Sequence, residues 1–448
     1  VQGNIFRSYD IRGRYPDAID ENTAYLVGHY FGELCNGGKI VIGFDGRSSS
    51  SSLYDALCQG IIESGSIPVS IGLVPTPMVY FADKTLQPAA SIMITASHNP
   101  KEDNGFKMIL AGETFFGEKI QILKEYIFKS EKKYIRAKIS EIDNWDISEK
   151  YVKRILQDIE IDHSMKVIWD IGNGAAGNII VQLVKDMPNQ NILMNEKIDG
   201  GFPARGPDPT DHSNLTQLVD LVIDKSYDLG IAFDGDGDRI VFVTSKGNIL
   251  YGDQTTCIFA EDVLRENPAA VIIGEVKSSQ ILYDQIKASG GKALMHKTGH
   301  AAIKSKMKET GAILAGEMSG HIFFADKYYG YDDAIYAGLR MIDLLSRNVV
   351  TLERLYSKLP KAYNTPEVKI AIDDDKKFQI IENIKEYLRK IGRKFIDIDG
   401  IRYSTGSSWW LIRASNTEAA ITIRCEARTA EALFIIEADL QRILVNYI

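Results

Sequence analysis

Three carboxylates alternate with glycines in Asp234-Gly235-Asp236-Gly237-Asp238-Arg239, between two runs of strand character, Leu229 to Phe233 and Ile240 to Val243. Alternation lets the chain curl until the oxygens converge, and such crowding of negative charge is costly unless a cation fills it. A hard divalent ion, Mg²⁺ first, suits the oxygen set. An EF-hand register fails, because counting from Asp234 puts Arg239 where glycine belongs and Ser245 where the bidentate Glu belongs. A solvated acidic turn is the plain alternative.

Thr95-Ala96-Ser97-His98-Asn99-Pro100 follows an apolar run, Ala90 to Ile94. Alone, it reads more often as a turn or a helix cap than as a nucleophile. Beside a cation site, Ser97 becomes a candidate phosphoryl carrier with the His98 imidazole next to it. In Gly316-Glu317-Met318-Ser319-Gly320-His321, Glu317 and Ser319 alternate on one side, as partners for neighbouring sugar hydroxyls would. In Arg413-Ala414-Ser415-Asn416-Thr417-Glu418, a guanidinium fork, short polar side chains and a turn of backbone N–H groups could enclose a dianion. Plain polar turns are the alternatives for both. Arg12, Lys107, Lys277 and Lys297 are further cationic candidates.

These segments need elements to position them. Three stretches share one plan, a β-branched strand, a glycine-containing turn and a helix: Lys39 to Gly46 with a helix from near Ser50, Lys166 to Gly174 with a helix carrying Ile179, Ile180 and Leu183, and Ala270 to Val276 with a helix from about Ser279. Such repeats imply parallel βαβ units that bind ligands at the carboxyl ends of their strands. Near the C-terminus, Val368 to Ile372, Phe395 to Asp399, Trp409 to Arg413 and Ala419 to Glu426 read as strands, with helices at Lys376 to Arg389 and Arg428 to Asn446. The expected fold is three α/β domains with mainly parallel mixed sheets plus an antiparallel α+β domain, around a central cleft. Their limits are expected at 1–143, 144–252, 253–362 and 363–448.

The chain has 448 residues, 45% hydrophobic and 25% charged, which fits several globular domains rather than one core. A net charge of −8 argues against nucleic-acid binding. Cys35, Cys58, Cys257 and Cys425 are scattered, and no signal segment or membrane span is evident, so a cytoplasmic protein is expected. The start at Val1 points to a processed or trimmed N-terminus.

Together the motifs resemble the α-D-phosphohexomutase family along the whole chain and in the family's order. The resemblance includes Phe6-Arg7-Ser8-Tyr9-Asp10-Ile11-Arg12-Gly13, the Ser97 loop, Asn104-Gly105-Phe106-Lys107, the Asp234 loop, Lys297-Thr298-Gly299-His300, the Glu317 loop and the Arg413 loop. Met318 before Ser-Gly-His is similar to the phosphomannomutase/phosphoglucomutase branch. Ala96 stands where some members have glycine.

The resemblance implies a phosphoserine at Ser97, with Mg²⁺ held by its phosphate and by Asp234, Asp236 and Asp238. It implies a clamp of Arg413, Ala414, Ser415, Asn416 and Thr417 for the substrate phosphate. Tyr9, Lys277, His300, Glu317, Met318, Ser319, Gly320 and His321 would meet the rest of the sugar phosphate. Arg239 would steady the serine phosphate, while Arg12, His98, Lys107 and His321 are neighbours of the reacting oxygens, with the general base left open. The implied activity moves a phosphoryl group between C1 and C6 of mannose, and of glucose too, through a hexose 1,6-bisphosphate. The expected partners are hexose phosphates, for a monomer or dimer that binds no nucleic acid or membrane. A phosphoglucosamine mutase, a metal-dependent phosphohydrolase and a silent sugar-phosphate sensor are the alternatives.

Overall fold

The computed structural model describes residues 1–138, 141–373, 375–415 and 419–447. The three expected strand–turn–helix units are present: Lys39–Phe44 leads to the helix Ser50–Glu63, Lys166–Asp170 to Gly177–Leu183, and Val271–Glu275 to Gln280–Ala288. Their β-branched residues are buried almost without interruption, as strands covered on both faces require. Ser279 caps the third helix by accepting the Ile281 N–H, which satisfies one of the donors a helix start leaves unpaired.

In the first sheet, Lys39–Phe44 is flanked in parallel by Ile67–Leu73 and Ala90–Ile94, after which Asp103–Leu110 and Ile11–Arg14 continue antiparallel. The second sheet places Lys166–Asp170 parallel to Gln190–Met194 and Leu229–Phe233, then adds Ile240–Thr244 antiparallel. The third runs Lys292–His296, Val271–Glu275 and Leu314–Gly316 in parallel and ends on antiparallel Ile322–Phe324. A rule follows from these registers. Each sheet switches from parallel to antiparallel once beside its central strands, and the connection at that switch carries a chemical motif: residues 95–102, 234–239 and 317–321.

The fourth sheet is wholly antiparallel, with Ala420–Ala427 between Ser408–Ala414 and both Tyr363–Asn364 and Val368–Ala371. The helices Lys377–Lys390 and Ala430–Leu444 contribute Ile384, Leu388 and Leu440 to a core shared with Trp410 and Ile412. One expected element differs. Residues 395–399 form only an isolated bridge, Ile396 to Arg402, and the strand is Ile401–Ser404. Ile396 and Ile398 face solvent, so their alternation has no core to point at. Gly400, at φ +82°, turns the chain where a Cβ would lie 2.3 Å from the Ile412 carbonyl oxygen.

A single apolar core runs through the first three sheets, with Val41 and Met93 from the first, Trp169 and Phe233 from the second, and Ile272 and Leu314 from the third. Among the described residues, no helix is long and apolar enough to cross a membrane.

Candidate active site

The Ser97 loop is wound around a buried arginine. Arg47 donates through its guanidinium to the carbonyls of Ser97 (2.7 Å), Asn99 (2.8 Å), Pro100 (2.5 Å) and Asp103 (2.9 Å), while Asp45 accepts its Nε–H at 3.1 Å. Thr95 Oγ1 donates to Asp45 (2.8 Å) and accepts the Ser97 N–H (2.8 Å). This frame holds Ser97 at φ +52°, a left-handed conformation that costs a non-glycine residue about 1–3 kcal/mol and that is found at functional sites. The Ser97 hydroxyl donates to Asp234 Oδ2 at 2.7 Å and lies 3.2 Å from His98 Nδ1. Burial first, then the charges of Arg239 and Arg12, keeps His98 well below the ordinary histidine range, so its ring is neutral.

Asp234, Asp236 and Asp238 are all buried, with carboxylate oxygens within 4.8 Å of one another. Burial and the two neighbouring carboxylates push Asp234 well above the usual range. Burial pushes Asp236 the same way, but Lys107 and the Thr76 hydroxyl outweigh it and hold Asp236 low. Lys107 Nζ reaches Asp236 Oδ2 at 2.7 Å and Asp238 Oδ2 at 2.5 Å. The opposite oxygens, Asp236 Oδ1 and Asp238 Oδ1, are buried without a hydrogen-bond partner among the described residues. Unpaired buried carboxylate oxygens are costly, and oxygen donors alone are what a hard divalent cation takes. The residues therefore fit such an ion.

Arg12 approaches from the first sheet, donating to Asp10 (2.6 Å) and to Asn99 (2.7 Å). Arg239 Nε donates to His321 Nε2 at 3.0 Å, which joins the metal loop to the sugar loop. Gly320, at φ +90°, lets the loops touch, since a Cβ there would lie 2.5 Å from the Ile240 carbonyl oxygen. His321 stacks on His300 with centroids 5.4 Å apart and planes 15° off parallel. Burial pushes His300 down to about 4, so it too is neutral.

Glu317 accepts the Gly299 N–H at 2.6 Å, and Glu275 accepts the Met318 N–H at 2.9 Å and the Thr298 hydroxyl. Two carboxylates thus cross-link the 298–300 and 317–319 turns. Tyr9 donates to the Thr298 carbonyl at 2.5 Å. Ser319 is half-buried on the same turn. Lys277 pairs with Glu367 at 3.3 Å and lies 3.9 Å from Glu275.

Arg413 lies on the strand Ser408–Ala414, where Asp399 accepts its Nε–H (3.2 Å) and an Nη–H (3.0 Å). Asp399 also accepts the Thr298 N–H at 3.1 Å, tying the clamp to the sugar turn. Ala414 and Ser415 are buried beside it, and the Ser415 carbonyl accepts from Lys377 at 2.5 Å. Asn416 and Thr417 lie outside the described residues. A cavity of about 540 Å³ lined by Asp10, Arg12, His98 and Ala419 sets this end of the fourth sheet opposite the serine loop.

Lys297 lines a cavity of about 1010 Å³ with Lys84, Lys304 and Lys308. Arg47, Thr76, Glu275, Asp332 and Asp399 belong to the site and escaped the sequence reading. Only Asp45-Gly46-Arg47 carried a local signal, being the turn at the carboxyl end of a strand.

Comparison with known proteins agrees with this geometry. The four domain models of the phosphoglucomutase/phosphomannomutase family match residues 3–134, 149–247, 251–363 and 367–442. A phosphomannomutase/phosphoglucomutase of Pseudomonas aeruginosa is 42% identical over 436 residues, covering 97% of this chain and 94% of that one. A phosphoglucomutase of Neisseria meningitidis is 39% identical over 450 residues, covering 99% and 97%. The crystal structure of a phosphoglucomutase/phosphomannomutase family protein from Burkholderia thailandensis superposes with a TM-score of 0.91 at 36% identity, covering 99% and 97%. The chain belongs to the phosphoglucomutase/phosphomannomutase family.

Proposed function

We propose that this protein interconverts the 1- and 6-phosphates of mannose and of glucose through a phosphoserine at Ser97 and a hexose 1,6-bisphosphate. The observation that carries the reading is Ser97 Oγ, 2.7 Å from Asp234, beside two buried carboxylate oxygens that lack partners. Asp234, Asp236 and Asp238 would hold Mg²⁺ together with the serine phosphate. When bound, the ion supplies neutralisation of charge on the transferring phosphoryl group.

The chain's own residues do the rest. Arg413, Ala414 and Ser415, with Asn416 and Thr417, grip the phosphate that does not react, while Glu317 and Ser319 accept and donate hydrogen bonds at ring hydroxyls. Met318, Gly320, Tyr9, Lys277 and His300 shape the same cleft. The free sugar hydroxyl attacks the seryl phosphorus, the P–Oγ bond breaks as the new P–O bond forms, and the hydroxyl proton leaves to a base. Burial would strip the proton from Lys107, but Asp236 and Asp238 outweigh it, and Asp10 does the same for Arg12. Held as cations, neither has a lone pair to take a proton. His98 is neutral and lies 3.2 Å from the Ser97 oxygen, while His321 Nε2 already accepts from Arg239. The intermediate then turns over in the cleft and returns its other phosphate to Ser97. Hexose phosphates as partners, a monomer or dimer, a cytoplasmic setting and divisions of the chain at 143, 252 and 362 complete the proposal.

The test compares mannose 1-phosphate, glucose 1-phosphate and glucosamine 1-phosphate with Mg²⁺ and a trace of hexose 1,6-bisphosphate. Comparable mannose and glucose rates are expected. Conversion of glucosamine alone moves the protein to the glucosamine branch, and release of free phosphate without isomerised sugar overturns the reading.

A further inference from the structure

In each of the first three sheets, a strand with an acid at its carboxyl end lies beside the strand that leads into a chemical motif. Asp45 follows Lys39–Phe44, Asp170 ends Lys166–Asp170 and Glu275 ends Val271–Glu275. Those strands pair in parallel with Ala90–Ile94, Leu229–Phe233 and Leu314–Gly316. In the first sheet the residue two beyond the acid is Arg47, which grips the serine loop while Asp45 accepts its Nε–H. In the third it is Lys277, and Glu275 takes the Met318 N–H directly. In the second it is Gly172, at φ +58°, where a Cβ would lie 2.5 Å from the Arg205 guanidinium carbon. The guanidinium thus fills the space that a side chain at this position would take, and it arrives from a loop 35 residues beyond Asp170.

Arg205 Nε–H donates to Asp170 Oδ2 at 2.5 Å, Nη2 to the Phe233 carbonyl at 2.8 Å and Nη1 to the Gly206 carbonyl at 3.0 Å. Both side chains of the pair are buried. Phe233 directly precedes Asp234, the first carboxylate of the metal loop. Earlier in the same loop, Phe202 sits at φ +48° with its ring centroid 5.3 Å from the Arg47 guanidinium carbon. An aromatic residue in the left-handed region is strained, and such strain persists only where the surroundings impose it. One loop therefore touches both the brace of the serine loop and the base of the metal loop.

We propose that Arg205 is a positioning residue for the metal loop, doing for Asp234 what Arg47 does for Ser97. By fixing the Phe233 carbonyl it sets the direction in which the chain leaves the strand, and Asp234 is the group that meets the Ser97 hydroxyl at 2.7 Å. Its planar fork reaches the acid and the carbonyl at once, a geometry that a lysine ammonium does not reproduce. The inference rests on the Asp234 loop being the divalent-cation site.

The test titrates Mn²⁺ into the full-length, phosphorylated enzyme after chelation and reads the free ion by electron paramagnetic resonance, without reference to activity. Arg205→Met/Asp170→Asn removes both charges, so that neither is left buried alone, and is expected to weaken Mn²⁺ binding by about 10-fold to 100-fold. Arg205→Lys keeps a cation beside Asp170, guarding against a double variant that fails to fold, and should weaken Mn²⁺ binding in the same direction. Leu218→Ala, in the core beneath the same sheet, measures what destabilisation alone does; it should lower the melting temperature and leave Mn²⁺ affinity unchanged. Wild-type affinity in either Arg205 variant, or an equal loss in Leu218→Ala, overturns the proposal. Wild-type protein that binds no Mn²⁺ overturns the functional reading together with this inference, whereas normal wild-type binding with unaltered variants overturns the inference alone.

Discussion

The reaction centre and the phosphate clamp are built to opposite mechanical standards. Ser97, Lys107, Asp234 and His321 come from three sheets that share one apolar core, and buried charges join their loops directly. Arg413 stands on a sheet with a core of its own. That sheet meets the rest through a small apolar junction of Val276, Trp409 and Leu411 and through polar contacts, including Arg402 on the carbonyls of Val276 (2.6 Å) and Ser278 (2.8 Å) and the Gln280 N–H on Glu426 (2.9 Å). In-line transfer tolerates little misplacement of the reacting atoms, whereas a sugar phosphate must be admitted, turned and released. A polar seam can part without exposing much apolar surface. The fold therefore places rigidity where bonds change and separability where the substrate is carried.

If the two regions are separable in function, disabling one should leave the other intact. Ser97→Ala should lower kcat by about 10⁴-fold or more, because the oxygen that carries the phosphoryl group is removed. Glucose 1-phosphate binding by calorimetry should stay within about threefold of wild type, since the grip on the non-reacting phosphate belongs to the fourth sheet. A parallel loss of binding would show that the serine loop also builds the clamp.

How far this division could be read from sequence depends on the distance over which each residue acts. Asp234, Asp236 and Asp238 are adjacent, so a turn of alternating glycines brings them together whatever the tertiary structure. The strand Ala90–Ile94 and the helix Ser50–Glu63 were equally local, set by β-branched and amphipathic runs. Arg47 shapes a loop 50 residues away by donating to its carbonyls, and a lone arginine after a strand announces nothing of the kind. Asp332 and Asp333 look alike in sequence, yet Asp333 caps a helix by accepting the Tyr336 N–H while Asp332 turns towards two histidines. Residues 395–399 alternate as a strand should, but which face meets a core is decided only when the sheets assemble.

A smaller effect is expected at the clamp. Arg413→Lys keeps the charge but loses the planar fork that binds two phosphate oxygens at once. KM for the sugar phosphates should rise by about 10-fold to 100-fold, with kcat at saturation changed far less, as initial rates over a wide substrate range would show. A fall in kcat comparable to that of Ser97→Ala would mean that the clamp also sets the attack geometry and that the two regions are one machine.

The smallest effect concerns the turn between the two regions. Glu317 is pushed from its ordinary 4.5 up to about 7, first by burial and then by the charge of Glu275, against the opposing pull of His321, the Gly299 N–H and Lys277. Because the folded value is raised, the contribution of Glu317 to stability is fully present below about pH 4.5 and is lost as pH rises through about 7. Substrate binding runs the other way: only the ionised carboxylate accepts two hydroxyl protons at once. In the wild-type enzyme, KM should therefore fall as pH rises through about 7, and the substrate-free protein should become easier to melt over the same interval. Glu317→Gln removes both slopes. Its melting temperature should gain on that of the wild type with rising pH, and its KM should keep only the pH dependence of the substrate phosphate, whose second ionisation lies near pH 6. Persistence of the full wild-type slopes in the glutamine variant would place the titrating group elsewhere in the cleft and remove Glu317 from the sugar-binding turn.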